Sequence, residues 1–138
     1  MTKAFRNDAL AKVTGKAKYT DDYTLPGILY AVPLHAPVAS AVIKAIDTSQ
    51  ALKMPGVLKV ITAADIPGKI KFGQIIKDYP TLVHKRIRTT GDVIALVVAE
   101  SRAQALAALP KIDLTLEDYP ALYDPEDALK EGATLINP

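Results

Sequence analysis

The seven residues Val93–Ala99 constrain the fold more than any other part of the chain, because they are uniformly apolar and rich in branched side chains. An apolar run of this length without alternation is typical of a strand that is buried on both faces. Gly91 and Asp92 immediately before the run provide a turn that leads into it. The sequence therefore predicts a central, fully covered strand at 93–99.

Four further strands are predicted around this segment. The strand at 28–34 follows the Pro26-Gly27 turn, and Pro33 cannot donate to a strand ladder. We therefore expect this strand at a sheet edge, or with a bulge at the proline. The strand at 41–47 alternates, with Val42, Lys44 and Ile46 predicted on one face. The other two strands are 57–62 and 112–116, the last with one solvent-facing side.

Short helices are predicted where capping pairs precede apolar residues. The pairs are Asp47/Gln50, Thr62/Asp65 and Ser101/Gln104. They predict a helix at 48–53, a single turn after Thr62, and a helix at 102–109 with Ala103, Leu106 and Ala107 on its apolar face. A last helix is predicted after Asp124, with Pro125 at its first position and Gly132 beyond its end. The fold class is thus α+β (mixed α/β), a mixed sheet with short helices packed on one face.

The length of 138 residues suits one domain, so 1–138 is predicted to be a single unit. Residues 1–26 are polar and turn-rich, which indicates an extended N-terminal arm that wraps the body of the domain. Residues 69–90 are the least regular part, with a short strand expected at 86–88. The end of the chain, 135–138, is expected to be coil or a short strand.

Charge and composition argue against several classes of partner. The net charge is +2, and nucleic-acid binding usually requires a dense basic face, so no nucleic acid is expected. The one basic stretch carries no aromatic stacking set and is interpreted as a solvated or partner-facing loop; its members are Lys69, Lys71, Lys77, Lys85, Arg86 and Arg88. The chain has no cysteine, no membrane span and no apolar signal core, so a cytoplasmic protein is expected.

No residue set in the chain matches a complete catalytic or metal-binding motif. Gly15-Lys16 lacks the other glycine and the Ser or Thr of a phosphate loop. His35 and His84 lie far apart, and neither has a second metal ligand at helical or hairpin spacing. We expect turn or capping roles for Asp21, Asp22 and Asp92. The prediction is therefore that the chain has no catalytic, cofactor-binding or metal-binding residue.

Three serines could in principle pair with a histidine for nucleophilic catalysis. Ser49 and Ser101 have helix-start roles, and no nucleophile elbow surrounds Ser40. A small hydrolase that uses His84 remains a minor hypothesis.

A set of short segments along the chain carries a further signal, and these segments lie in 12–31, 46–51, 55–57, 60–68, 94–100, 116–121 and 124–129. Among them are Leu25-Pro26-Gly27-Ile28-Leu29-Tyr30-Ala31, Thr62-Ala63-x-Asp65-Ile66-Pro67-Gly68 and Leu116-Glu117-Asp118-Tyr119-Pro120-Ala121. In this order, they resemble the opening of the large molybdenum-binding subunit of the xanthine dehydrogenase / aldehyde oxidase family. Two segments differ from the family's usual residues, namely 35–41 and 88–91.

The resemblance implies an α/β-hammerhead domain that takes no part in catalysis. The full enzymes hydroxylate purines, aldehydes or related heterocycles with a molybdopterin cofactor, and their electrons leave through iron–sulfur clusters and FAD on partner domains. The resemblance places the pterin-binding segments and the catalytic residue downstream of this domain. The implied partners are the remainder of the molybdenum-binding subunit and the iron–sulfur subunit or domain.

Some alternatives stay open at this stage. The chain ends about where the hammerhead domain of the family ends, so a fragment of a longer gene is expected. A free-standing interaction module derived from that domain is the alternative, and homo-oligomerisation is also left open.

Overall fold

The structure, a computed structural model, describes residues 6–136, which contain eight strands and four short α-helices. The strands are β1 (Tyr30–His35), β2 (Ala41–Asp47), β3 (Val57–Thr62), β4 (Lys71–Phe72), β5 (Tyr79–Pro80), β6 (Arg86–Ile87), β7 (Val93–Ala99) and β8 (Asp113–Asp118). The helices are α1 (Ala9–Val13), α2 (Ser49–Leu52), α3 (Arg102–Ala108) and α4 (Pro125–Ala128). No helix within 6–136 is long and apolar enough to cross a membrane.

In this part of the chain, the strands form two three-stranded sheets, ordered β1-β7-β3 and β6-β2-β8, and a ribbon of β4 with β5. Each of these pairings is antiparallel. The predicted α+β (mixed α/β) class is confirmed, but the strands divide between two sheets where one mixed sheet was expected. Hydrophobic periodicity indicates which side chains are buried, whereas the pairing of distant strands depends on tertiary contacts.

The apolar run forms β7, the middle strand of the first sheet, as its lack of alternation predicted. Ala95, Val97 and Ala99 on one face are fully buried in a core that includes Ala105 and Ala108 of α3. Ile94 on the other face is fully buried in a second core. The members of that second core are Ala36, Ala41, Ile43, Val83, Ile87 and Ile94. Because β7 contributes buried side chains to both cores, it connects the packing of the two sheets.

Pro33 lies in β1, which is an edge strand of the first sheet and pairs with β7. The register of this pairing shifts between Leu34 and His35. The edge position confirms the prediction from Pro33, because an edge strand tolerates a residue that has no N–H to donate.

The predicted face of β2 was wrong. A register shift lies between Ile43 and Ala45 where β2 pairs with β8. Ala41 and Ile43 are buried, Lys44 is exposed, and Ile46 packs against both cores. The irregularity interrupts the period of two, so the face assigned from strict alternation does not survive it.

The predicted apolar face of α3 was also wrong. Its buried residues are Ala105 and Ala108, whereas Leu106 is 46% exposed. A face of alanines lets the helix backbone approach the sheet closely, which Leu106 would prevent. The cap is as predicted, since Ser101 Oγ accepts a hydrogen bond from the Gln104 N–H at 3.3 Å.

The other predicted helix starts are confirmed in two cases and modified in one. The turn after Thr62 is closed by Asp65, whose carboxylate accepts from the Thr62 N–H at 2.9 Å. Asp124 caps α4 through the Glu126 N–H at 2.8 Å. Asp47 instead accepts from the Ser49 N–H at 2.8 Å, and α2 begins at Ser49 without the predicted exchange with Gln50.

The N-terminal arm is not extended throughout. Residues 9–13 form α1 and residues 20–22 form a 3₁₀ turn, while residues 1–5 lie outside the described part. Gly15 has a φ of 69° and ends α1, and the Lys16 N–H then donates to Ala11 O at 2.8 Å. This is the backbone geometry of a helix C-terminus, which glycine adopts at little cost. Asp8, bridged to Lys12 at 2.8 Å, stabilises this single helical segment.

Residues 69–90 are more ordered than the sequence indicated. They contain β4, β5 and β6, of which β6 confirms the short strand predicted at 86–88 and pairs with β2. Leu82, Val83 and Ile87 are buried and anchor the segment to the body. The rings of Phe72 and Tyr79 pack edge to face at 5.3 Å between centroids.

Gly56 is a position where alanine is expected to be costly. It has a φ of 76°, and an added Cβ would lie 2.1 Å from Gln104 Nε2. Left-handed backbone costs an L-residue about 1–2 kcal/mol, and Gln104 would also have to leave its contact with Ser101. Gly56→Ala should therefore lower the free energy of unfolding in urea by more than that amount.

Gly68→Ala is the matched control, because Gly68 has a φ of 87° and open space around its missing Cβ. Gly68→Ala should therefore lose only the free energy that the left-handed backbone costs an alanine. If both variants lose the same free energy of unfolding, the Gln104 contact has no energetic weight.

Candidate functional site

The side chains that could perform chemistry are dispersed over the described residues. His35 is exposed at the end of β1, and His84 follows the buried Val83 in the segment before β6. Within 6–136, no three or more His, Cys, Asp or Glu side chains converge in a way that could hold a metal ion. The prediction that the chain has no metal site stays a prediction, and this geometry offers no candidate for one.

The serines do not form a catalytic pair with either histidine. Ser101 Oγ donates to Gln104 Oε1 at 2.7 Å, so it is engaged at the start of α3. Ser40 Oγ is buried and has no hydrogen-bond partner among the described residues. No hydrogen bond between a serine and a histidine occurs in this part of the chain, so nothing here favours the hydrolase hypothesis.

The acidic pair in the arm has a turn role, as predicted. The Asp22 carboxylate accepts a hydrogen bond from the Tyr19 N–H at 2.9 Å within the 3₁₀ turn. The Gly15-Lys16 dipeptide is the end of α1 and not a phosphate-binding loop.

Asp92 is the one buried charged residue among those described, with 4% of its surface exposed. Its Oδ2 accepts from the Arg88 N–H at 2.7 Å and the Thr89 N–H at 3.4 Å. Its own carbonyl accepts from the Ala36 N–H at 2.8 Å. Asp92 thus ties the turn before β7 to the end of β1, which confirms its predicted turn role.

Basic side chains converge on one cavity between the ribbon and β6. The cavity has a volume of about 300 Å³. Its charged or titratable wall residues are Lys71, His84, Lys85, Arg86 and Arg88. A neighbouring cavity of about 220 Å³ shares Arg86 and Arg88 and also includes Ser40. The basic loop of the sequence is therefore folded into a cationic cluster, which the buried Leu82 and Val83 hold in place.

The pKa of His84, the imidazole in the cavity wall, is lowered by its surroundings. Partial burial lowers the pKa of His84, and the nearby charges of Lys85 and Lys71 lower this pKa further. Protonating His84 is consequently less favourable in the folded chain than in the unfolded one. Its titration should reduce stability as the pH falls below the ordinary value of 6.5.

Arg86 and Arg88, the two arginines of the cavity wall, are positioned by different contacts. Arg86 donates from Nη1 to Leu135 O at 2.9 Å, and its guanidinium lies 4.1 Å from the centre of the Tyr119 ring. Arg88 is positioned through its backbone by Asp92. The Nε atoms of both side chains are buried and have no hydrogen-bond partner among the described residues.

A sequence model of the family described as "Aldehyde oxidase and xanthine dehydrogenase, a/b hammerhead domain" matches residues 14–120. The chain belongs to this family. The resemblance in the sequence is confirmed, and the residues matched by the hammerhead model contain β1–β8, α2 and α3.

Curated relatives contain this hammerhead domain within longer chains. A probable xanthine dehydrogenase subunit of Bacillus subtilis is 41% identical over 96% of this chain and 18% of its own length. "Nicotinate dehydrogenase large molybdopterin subunit" of Eubacterium barkeri is 39% identical over 94% of this chain and 31% of its own. The chain therefore spans less than a third of either relative.

Solved structures agree with the sequence comparison. Aldehyde oxidoreductase from Desulfovibrio gigas aligns with a TM-score of 0.90 and 39% identity, covering 96% of this chain and 16% of that one. A carbon monoxide dehydrogenase chain from Oligotropha carboxidovorans aligns with a TM-score of 0.87 and 33% identity, covering 95% and 17%. The hammerhead fold thus occurs in proteins whose names specify different substrates.

Proposed function

We propose that this chain is the non-catalytic hammerhead domain of a large, molybdenum-binding subunit of the xanthine dehydrogenase / aldehyde oxidase family. The observation that carries the proposal is the alignment of 96% of this chain with only 18% of a longer xanthine dehydrogenase chain. The complete enzyme would be an oxidoreductase that hydroxylates a purine, an aldehyde or a related heterocycle.

The hammerhead domain by itself would not select among these substrates. The relatives named for xanthine, nicotinate and aldehyde are 41%, 39% and 41% identical to this chain. Such similar identities indicate that this domain is shared regardless of substrate. Substrate choice would therefore be made in the remainder of the subunit.

The described residues do not supply a ligand set for the redox groups that the family implies. Iron–sulfur clusters are held mainly by cysteine thiolates, and the chain has no cysteine. Within 6–136, no three or more His, Cys, Asp or Glu side chains converge in a way that could hold a metal ion directly. In line with the family resemblance, molybdopterin would be held by the downstream part of the large subunit, and the iron–sulfur clusters and FAD by partner domains.

The work of this domain would be to pack against the rest of the same large subunit. Its arm and its last helical segment expose large apolar side chains that the two cores do not cover. Leu10, Val13, Tyr123 and Leu129 are 73%, 81%, 85% and 88% exposed, respectively. Since relatives are several times longer than this chain, the downstream polypeptide is the partner that could cover them.

The proposal is tested by producing the 138-residue chain alone and joined to the sequence that follows codon 138 in its gene. We expect the extended protein to copurify with molybdenum and to hydroxylate at least one of xanthine, nicotinate or a simple aldehyde. The chain alone should do neither, with metal content measured by mass spectrometry and turnover by dye reduction.

Molybdenum retained by the 138-residue chain alone would contradict the proposal, as would an extended protein that binds no molybdenum. A stop codon after Pro138, with a stable chain that captures no molybdenum subunit, would favour the free-standing module. The longer relatives make that second outcome the less favoured one.

A further inference from the structure

The cationic cavity of about 300 Å³ has no assigned role in the family fold described above. Its wall brings together five basic or titratable side chains from the ribbon region and β6. Residues 71, 84, 85, 86 and 88 supply them, and no Asp or Glu contributes to the wall among the described residues. Cations placed together repel one another, so the arrangement is more favourable when an anion lies between them.

Two donors in this wall lack a partner. The Nε atoms of Arg86 and Arg88 are buried and make no hydrogen bond within the described part of the chain. A buried donor without a partner costs about 1–3 kcal/mol, and more when it belongs to a charged group. The nearby carboxylate of Asp92 is occupied by the backbone N–H groups of Arg88 and Thr89.

The size and chemistry of the cavity limit the ligand. A guanidinium binds phosphate or carboxylate oxygens through parallel N–H groups, and lysine adds a point charge. A volume of about 300 Å³ accommodates a small anion with several oxygens. Ile70, Pro80 and Val83 form an apolar part of the wall.

We propose that this cavity is a binding site for a small multivalent oxyanion, held by Arg86 and Arg88 with Lys71, His84 and Lys85 around it. The anion would be recognised by its clustered oxygens, as in a phosphate or polyphosphate group or a polycarboxylate. Binding would offset the repulsion among the cations of the cluster.

The two histidines allow a direct test on the 138-residue chain. Carbon-13 NMR would follow the imidazole signals of His84 and His35 against pH, with sodium chloride, pyrophosphate or citrate at constant ionic strength. A bound anion favours the protonated imidazole, so the pKa of His84 should rise with a saturable dependence on the anion. His35, which lines neither cavity, should respond much less.

Pyrophosphate and citrate distinguish a ligand with phosphate oxygens from a ligand with carboxylate oxygens. A response to pyrophosphate assigns a phosphate-type ligand, and a response to citrate alone assigns a carboxylate-type one. If neither anion moves His84 more than His35, the cavity is not an anion site and the proposal fails. An acidic partner segment would then be the alternative occupant.

Arg88→Gln should weaken anion binding about tenfold, which corresponds to the loss of one charge-assisted contact. Arg102→Gln is the matched control, because it removes the same charge from an exposed position on α3 that lies outside both cavities. Equal weakening by the two variants would reveal unspecific attraction and overturn the proposal. Lys85→Gln, at an exposed position, provides a second test should Arg88→Gln disturb folding.

Discussion

Replacing Ile94 with alanine is expected to lower the free energy of unfolding by about 2–5 kcal/mol, which is a large part of the stability of a domain this size. Ile94 is fully buried in β7, on the face that packs against Ile43, Val83 and Ile87. Truncation leaves a cavity that these neighbours, fixed in other elements, fill only partly. The second core should consequently loosen.

The measurement is chemical denaturation of the 138-residue chain, followed by circular dichroism. Ile75→Ala is the matched control, because the same atoms are removed from a side chain that is 94% exposed. It should change the free energy of unfolding by less than about 0.5 kcal/mol. A loss below about 1 kcal/mol for Ile94→Ala would show that the second core is not closed as described.

Replacing Asp92 with alanine is expected to lower the free energy of unfolding by about 2–3 kcal/mol, because the N–H groups of Arg88 and Thr89 lose a charged acceptor. The distances to Oδ2 are 2.7 and 3.4 Å, and the carboxylate is buried. Asp92→Asn keeps one acceptor oxygen without the charge and should lose less. Thermal or urea unfolding of both variants measures the difference.

Asp113→Ala provides the comparison for this experiment, since Asp113 is exposed at the start of β8. Asp113→Ala should lower the free energy of unfolding by no more than about 0.5 kcal/mol. If Asp92→Ala proves no more damaging than Asp113→Ala, the turn before β7 does not depend on the buried carboxylate. In that case Arg88 would be positioned by other contacts, and the description of the cationic cavity would need revision.

Local features of the fold were predictable because their causes lie within a few residues. The apolar composition of 93–99 predicts a doubly covered strand, and a proline without an N–H predicts an edge position. Ser101, Thr62 and Asp124 predict helix starts through hydrogen bonds that span two or three residues. These predictions needed no knowledge of distant contacts, and the structure confirms them.

The errors in the faces of β2 and α3 share one cause, which is that packing between distant elements overrode the local pattern. A register shift between Ile43 and Ala45 changed the buried face of β2. The close approach of α3 to its sheet favoured Ala105 and Ala108 over Leu106. The helix at 9–13 was missed because five residues of mixed polarity give little periodic signal.

At the candidate site, too, the local sequence was informative, whereas the packing between distant elements was not predictable from it. The sequence displays six cations between Lys69 and Arg88, but such a run is equally compatible with a solvated loop. The apolar pair Leu82-Val83 and the lone Ile87 were the available signals that this loop is anchored, since all three are buried. Val83 and Ile87 anchor the loop by packing in one core with Ile43 and Ile94, which lie on other strands.

The sequence by itself determined the central strand, the helix starts at Thr62, Ser101 and Asp124, the absence of cysteine ligands and the family. Each of these follows from residue identity or from short-range order along the chain. Only the tertiary structure decided that β7 joins two cores and that Arg86, Arg88, Lys71 and His84 face one cavity. That convergence arises from strand pairing and burial between residues far apart in sequence, which no local pattern encodes.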